Sequence, residues 1–272
     1  MSQGQSGYTK FKHARFSPVL AQSLRISKAA SIERFPYYHV DLNAGGGFNH
    51  DVHVKGSPLN FLDAVERTNR LNFYAFFVDN NPACIAELAQ RPELAKYSTR
   101  VSVHGGDNAE ILPVVSQFIA ARERNPHHAV GSIVIDPNGY HKGVPWTALH
   151  DFCADHPKFD VFVNLNVRSF SLERPHILEG GKKGWAAHVL HPLSTFRTWF
   201  SRPHWMWTDV TTIGGNHWIQ GVGRTLATHS EGYRSLGFYD SRSDEARAII
   251  DGIEGTAVAT AGSQSGLLWD LP

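Results

Sequence analysis

Four aspartates stand at the ends of four apolar runs, and a turn follows each of them. Asp41 closes YYHVDL (37–42) and leads through Asn43 and Ala44 into three consecutive glycines, Gly45, Gly46 and Gly47. Asp79 closes NFYAFFVD (72–79) and precedes Asn80, Asn81 and Pro82. The run TRVSVH (99–104) opens into Asp107 and Asn108, and GSIVIDP (131–137) ends in Asp136 and Pro137, followed by Asn138 and Gly139. One such acid reads as a helix cap. Four in succession read as the rim of a binding site.

The order of residues narrows the ligand. An acid placed directly before a glycine turn repels a pyrophosphate and suits an ammonium group. The turn also lacks the dinucleotide fingerprint, because His50 stands where the third glycine belongs, and it lacks the Gly-Lys-Ser/Thr of a phosphate loop. A cationic amino-acid head, a ribose and an adenine together match these acids. S-adenosyl-L-methionine therefore suits the rim better than NAD.

The elements that must carry these residues alternate. Strand-like runs at 37–42, 72–79, 99–104, 131–137 and 159–167 are separated by helix-like stretches. Ser57-Pro58 opens one helix, with serine at the cap, and Asn81-Pro82 opens the next. A third follows Pro113, and a fourth begins near Pro145. Alternation of this kind implies an α/β fold with a parallel sheet and right-handed crossovers. The consecutively apolar AFFVD and SIVID suit strands covered on both faces. Ligands in such sheets sit at the carboxyl ends of the strands, where the four acids lie. HWMWTDV (204–210) and NHWIQGV (216–222) read as two more strands joined by a Gly-Gly turn.

Several plainer readings remain beside the functional ones. Asp79 reads as a cap, a ligand contact or both, and Asp107 reads equally as a cap. Asp136 at a strand end favours function, since a buried acid needs a partner. Asn164 and Asn166 point the same way from their strand and either line the pocket or pair within the core. Trp199, Trp205, Trp207 and Trp218 read as core aromatics before they read as a base-stacking platform. His188 and His191, or His150 and His156, lack a metal-site pattern. AGSQSG (261–266) has Gln264 where a nucleophile elbow needs serine.

Composition sets the frame. The chain has 272 residues, 42% hydrophobic and 19% charged, enough to bury a sizeable core. Its two cysteines, Cys84 and Cys153, cannot form a disulfide framework, which fits a reducing cytoplasm. No apolar run approaches the ~20 residues of a membrane span. Net charge is +1, but TKFKHAR (9–15) and GGKKGW (180–185) are locally basic, so the surface can still hold a polyanion. One domain is expected over 1–272: a basic N-terminal extension (1–35) with one short helix around 17–30, a cofactor-binding core (36–170), and a C-terminal part with substrate-side elements (171–272).

The ordered series DLNAGGG, GSPLNFLDA, FFVDNNP, HGGDN, VIDPNGYHKGVPW and VFVNLN resembles the three-Cys-motif partner proteins. The resemblance covers roughly residues 36–170, and more loosely the WIQGVG and LGFYDSRSDEA segments near the end. It implies a class I methyltransferase fold: a Rossmann-like three-layer sandwich whose mostly parallel seven-stranded sheet has an antiparallel C-terminal strand. By the same resemblance, Asp41, Asn43, Ala44, Gly45, Gly46 and Gly47 would hold the methionine part of the cofactor. Asp79 and Asn80 would meet its ribose, and Asp107 and Asn108 its adenine.

Asp136, Pro137, Asn138 and Tyr140 would form the catalytic loop, with Asp136 also beside the cofactor. In amino-methyltransferases that loop reads Asp/Asn-Pro-Pro-aromatic, and its oxygens accept the protons of the target amine. Here Asn138-Gly139 replaces Pro-aromatic, and Tyr140 comes one residue late. The implied activity is methylation of a nucleic acid, DNA ahead of RNA, at a base amine such as adenine N6. A catalytically silent module that binds nucleic acid or a protein partner is the alternative.

Overall fold

The protein is described by a computed structural model covering residues 8–28, 34–137, 144–167, 192–213, 216–226 and 230–259. Asn138, Gly139, Tyr140, the basic stretch 180–185, His188, His191 and the segment 261–266 lie outside the described residues.

The central sheet holds eight main strands: β1 Tyr37–Asp41, β2 Phe73–Asp79, β3 Val101–Gly105, β4 Val130–Ile135, β5 Phe159–Asn166, β6 His204–Thr208, β7 Asn216–Arg224 and β8 Phe238–Asp240. Their order is β3-β2-β1-β4-β5-β7-β6-β8, and a three-residue strand, Thr211–Ile213, pairs with the start of β7. The first five run parallel. β7 lies antiparallel to both β5 and β6, and β8 antiparallel to β6. The sheet expected from sequence is therefore present, extended at one edge by β8. The order turns back between β1 and β4, which places the crevice at their carboxyl ends.

Helices cover both faces. On one side lie α1 Tyr8–Ser27, α2 Ser57–Thr68 and α3 Pro82–Ala89; on the other lie α4 Asn108–Ala120, α5 Trp146–Asp155, α6 Pro192–Trp199 and α8 Asp244–Ala259. The five-residue α7, Ser230–Arg234, precedes β8. Phe61, Phe73, Phe77 and Phe162 fill the first interface, while Trp146, Phe196, Trp205 and Trp207 fill the second. Trp205 and Trp207 are thus core residues, stacked at 5.2 Å.

Local signals explain most helix starts. Asn81 caps α3 by accepting from the Ala83 amide at 3.0 Å, with Pro82 at the first helical position. Three starts differ from expectation, that of α1 among them. The residue capping α2 is Gly56 and not Ser57, and no side chain caps it. α4 begins at Asn108, before Pro113, because Asp107 supplies the cap from 2.8 Å.

The opening segment differs most. It forms a 20-residue helix, starting well before the expected position, and it packs along α2. Phe16, Val19, Leu20 and Leu24 are buried beneath it. Its second half is also pinned by polar contacts: Ser23 Oγ donates to Asp160 Oδ2 at 2.7 Å, and Arg224 Nε meets the other oxygen of Asp160 at 3.0 Å. Pro18 lies inside the helix between its halves and has no N–H to offer the Ala14 carbonyl. Among the described residues, no helix is long and apolar enough to cross a membrane.

Candidate functional site

Asp41 is fully buried at the end of β1. Its Oδ1 accepts from the Asn43 amide at 3.2 Å, while Oδ2 has no hydrogen-bond partner among the described residues. Burial pushes its pKa up to about 7, the nearby Ser57 hydroxyl and Asn43 amide oppose that shift, and Asp136 and Asp79 add to it. His39, two residues earlier, brings no compensating charge, because burial holds its ring neutral with a pKa lowered to about 3.

The turn after Asp41 is held by the chain itself. Gly45 and Gly47 have φ of 60° and 77°, the left-handed region that glycine enters without a Cβ penalty. A Cβ on Gly47 would sit 2.7 Å from Leu88 Cδ1, whereas a Cβ on Gly45 would meet nothing within 4 Å. The space above Gly45 is therefore open to a ligand, while Gly47 is packed against α3. Glu87 lies beneath Gly46, and Arg91 donates to the Gly46 carbonyl at 3.2 Å and to Glu87.

Asp79 reaches into the same turn. Its Oδ2 accepts from the Gly45 amide at 2.8 Å and its Oδ1 from the Asn81 amide at 2.8 Å. It is not the cap of α3, which is Asn81. It links two strand-end turns, and any ribose contact would use its remaining lone pairs. Asn80 is exposed beside it. Asp107 is exposed and caps α4, whereas Asn108 Oδ1 is buried without a partner among the described residues.

Asp136 lies across the crevice. Asn43 bridges the two loops, its Oδ1 accepting from the Asp136 amide at 3.0 Å. Asn164 Nδ2 donates to Asp136 Oδ1 at 2.6 Å, which brings Asn164 into the site. Lys12 of α1 meets Asp136 Oδ2 at 2.5 Å. Pro137 is buried beside it.

The structure thus gathers Asp41, Asn43, Ala44, Gly45, Asp79 and Asp136 at one rim, with Asn164 behind. Lys12 was not legible from sequence, being 124 residues from its partner. The arrangement fits S-adenosylmethionine on its own terms. A buried carboxylate oxygen without a donor suits the cofactor's ammonium group, and the open face of Gly45 leaves room for close approach. Among the described residues, no group of three or more metal-ligating side chains comes together.

No family model matches the sequence, and no curated protein is significantly similar to it. Among solved structures, the chain is similar to protein LPL1258 from Legionella pneumophila str. Philadelphia 1, of family-model DUF519. The TM-score is 0.51 at 13% identity, covering 81% of this chain and 90% of that one. The delta-N METTL16 MTase domain aligns with a TM-score of 0.38 at 12% identity, over 71% of this chain and 75% of that one. A human methyltransferase 10 domain containing protein aligns at 0.37 and 12%, over 75% and 83%. The first likeness concerns fold alone. The strand order, with β7 reversed between β5 and β6, makes this chain a Rossmann-like α/β protein of the class I methyltransferase fold.

Proposed function

We propose that this chain is an S-adenosylmethionine-dependent methyltransferase acting on nucleic acid, DNA ahead of RNA, at a base amine such as adenine N6. The observation that carries the reading is the pairing of two unlike acids across one crevice. Asp41 is buried with an oxygen free for a cation, and Asp136 is polarised by Asn164 at the rim. The resemblance to the three-Cys-motif partner proteins supports the same assignment.

The bound cofactor would supply an electrophilic methyl group. Asp41 would hold the ammonium end, and the Gly45 turn would let the ligand lie against the backbone. Asp79, Asn80, Asp107 and Asn108 would line the nucleoside end. Asp136 Oδ2 would accept an N–H of the target amine and turn the nitrogen lone pair away from itself, toward the methyl group. Pro137, buried beside Asp136, would hold the loop that carries this acid. The proton surplus on the methylated nitrogen would rest at Asp136 Oδ2 before passing to water. Asn138 and Tyr140 belong to the same proposed loop.

Lys12 now occupies the oxygen that the amine needs, so the two compete. That ion pair is also the observation that favours the second reading, a silent module that binds nucleic acid or a protein partner.

Incubation with methyl-labelled S-adenosylmethionine and a mixture of DNA, RNA and protein tests the proposal. Label in DNA that disappears with Asp136→Ala, while calorimetry gives cofactor affinity within about threefold of wild type, supports it. Cofactor binding without transfer to any polymer sinks the catalytic reading, and no binding at millimolar cofactor favours the silent module.

A further inference from the structure

A cleft under α1, two strands over from the one that Asp136 follows, is bordered by polar side chains that the fold leaves unmet. Gln220 of β7 stands opposite Asn164 of β5, the residue that donates to Asp136. Strand alternation puts Gln220 on the same face as Val222 and Phe162, under α1. It is only 5% exposed, yet neither Nε2 nor Oε1 has a hydrogen-bond partner among the described residues. Arg15 of α1 lines the same cleft with its Nη1 buried and equally unpartnered. Phe16 and Phe238 add apolar walls.

Native folds satisfy nearly all buried polar groups, and leaving both ends of an amide unmet is costly. Such a group persists where a ligand completes it. We propose that this cleft is the acceptor subsite, and that Gln220 reads an amino-heterocycle: an exocyclic amine beside an unprotonated ring nitrogen, as in adenine or cytosine. This rests on the methyltransferase reading above. Gln220 Oε1 accepts one N–H of the amine and Nε2 donates to the ring nitrogen, the two-point pairing that an amide makes with adenine. The other N–H faces Asp136. Arg15 Nη1 supplies a donor to the next acceptor on the ring.

The cleft spans about 190 Å³ between atoms, part of it open to solvent. As it stands the cleft has room for about one water, so the proposed subsite requires the first turns of α1 to tilt outward before a base enters. Those turns carry both Lys12 and Arg15, and Pro18 separates them from the pinned second half. One movement therefore opens the cleft and releases Asp136 from Lys12.

The test measures binding of oligo(dA), oligo(dC) and oligo(dT) by fluorescence anisotropy, so that phosphate contacts cancel in the ratio. Wild type is expected to prefer oligo(dA) or oligo(dC) over oligo(dT) by about tenfold or more. Gln220→Leu should erase that preference, and Gln220→Glu, which keeps the shape but loses the donor, should weaken it. Cofactor affinity should be unchanged in both, and melting curves establish that both fold. No preference in wild type, or an undiminished one in folded Gln220→Leu, overturns the subsite. Transfer of label by wild type and Gln220→Leu with the same KM overturns the subsite and leaves the methyltransferase reading intact. A preference that Gln220→Leu erases, in a protein that binds no cofactor, keeps the subsite and removes that reading.

Discussion

Lys12 Nζ lies 2.5 Å from Asp136 Oδ2, so the first described helix supplies the counter-charge to the acid that follows β4. The pair is largely shielded from water, with side-chain exposures of 16% and 11%. In such a position the loss of one partner matters more than at the surface.

Lys12→Met removes the competitor for Asp136 Oδ2. The KM for the acceptor should fall several-fold, while the melting temperature drops by a few degrees because Asp136 loses its counter-charge. Steady-state kinetics with labelled cofactor and a thermal melt read the two effects separately. A raised KM would show that Lys12 assists acceptor binding.

The raised pKa of Asp41 makes a pH prediction with a definite sign. Burial lifts it from 3.8 to about 7, so the folded state holds a proton that the unfolded chain releases. Stability should therefore fall as pH rises from about 4 to about 7 and level off above. Asp41→Asn should remove that slope and gain about 2–4 kcal/mol at pH 8. Denaturant melts across pH 4–8 give the comparison.

Ligand binding should show the converse. A cation at Asp41 favours the carboxylate, so cofactor affinity should rise with pH up to about 7 and then plateau. Calorimetry at pH 6 in buffers of different ionisation enthalpy should detect close to one proton released. Asp41→Asn should lose both the affinity, by about tenfold or more, and the proton release.

Gly45 and Gly47 should separate binding from folding. Both have positive φ, so alanine costs about 1 kcal/mol at either. At Gly47 the new Cβ also collides with Leu88, and stability should fall further, by about 2–3 kcal/mol in all. At Gly45 the Cβ enters open space, so Gly45→Ala should lose cofactor affinity out of proportion to its stability. Paired melts and titrations would refute this if the two variants changed in parallel.

Asp160→Ala tests the anchor of α1. Arg224 would lose its carboxylate in a buried setting, and Ser23 its acceptor, for about 3–5 kcal/mol. Cofactor affinity, which depends on the opposite ends of the strands, should change little.

The parallel core was legible because AFFVD and SIVID are apolar on consecutive residues, a pattern that follows from burial on both faces. Asp41, Asp79 and Asp136 were legible because each directly follows such a run. The first half of α1 was not, since YTKFKHARF intersperses cations among its aromatics and Pro18 lies at mid-length. Lys12 and Gln220 carry no local signal: one meets Asp136 from 124 residues away, and the other is set by pairing between β7 and β5. Asp107 was ambiguous for a physical reason, as one carboxylate can cap a helix and still face a crevice.

Asp79 grips the Gly45 amide with one oxygen and the Asn81 amide with the other. The two turns are therefore one heritable unit. Drift in either loop changes the seat of the other, so insertions should be tolerated poorly on both sides of this carboxylate and more readily elsewhere along the rim.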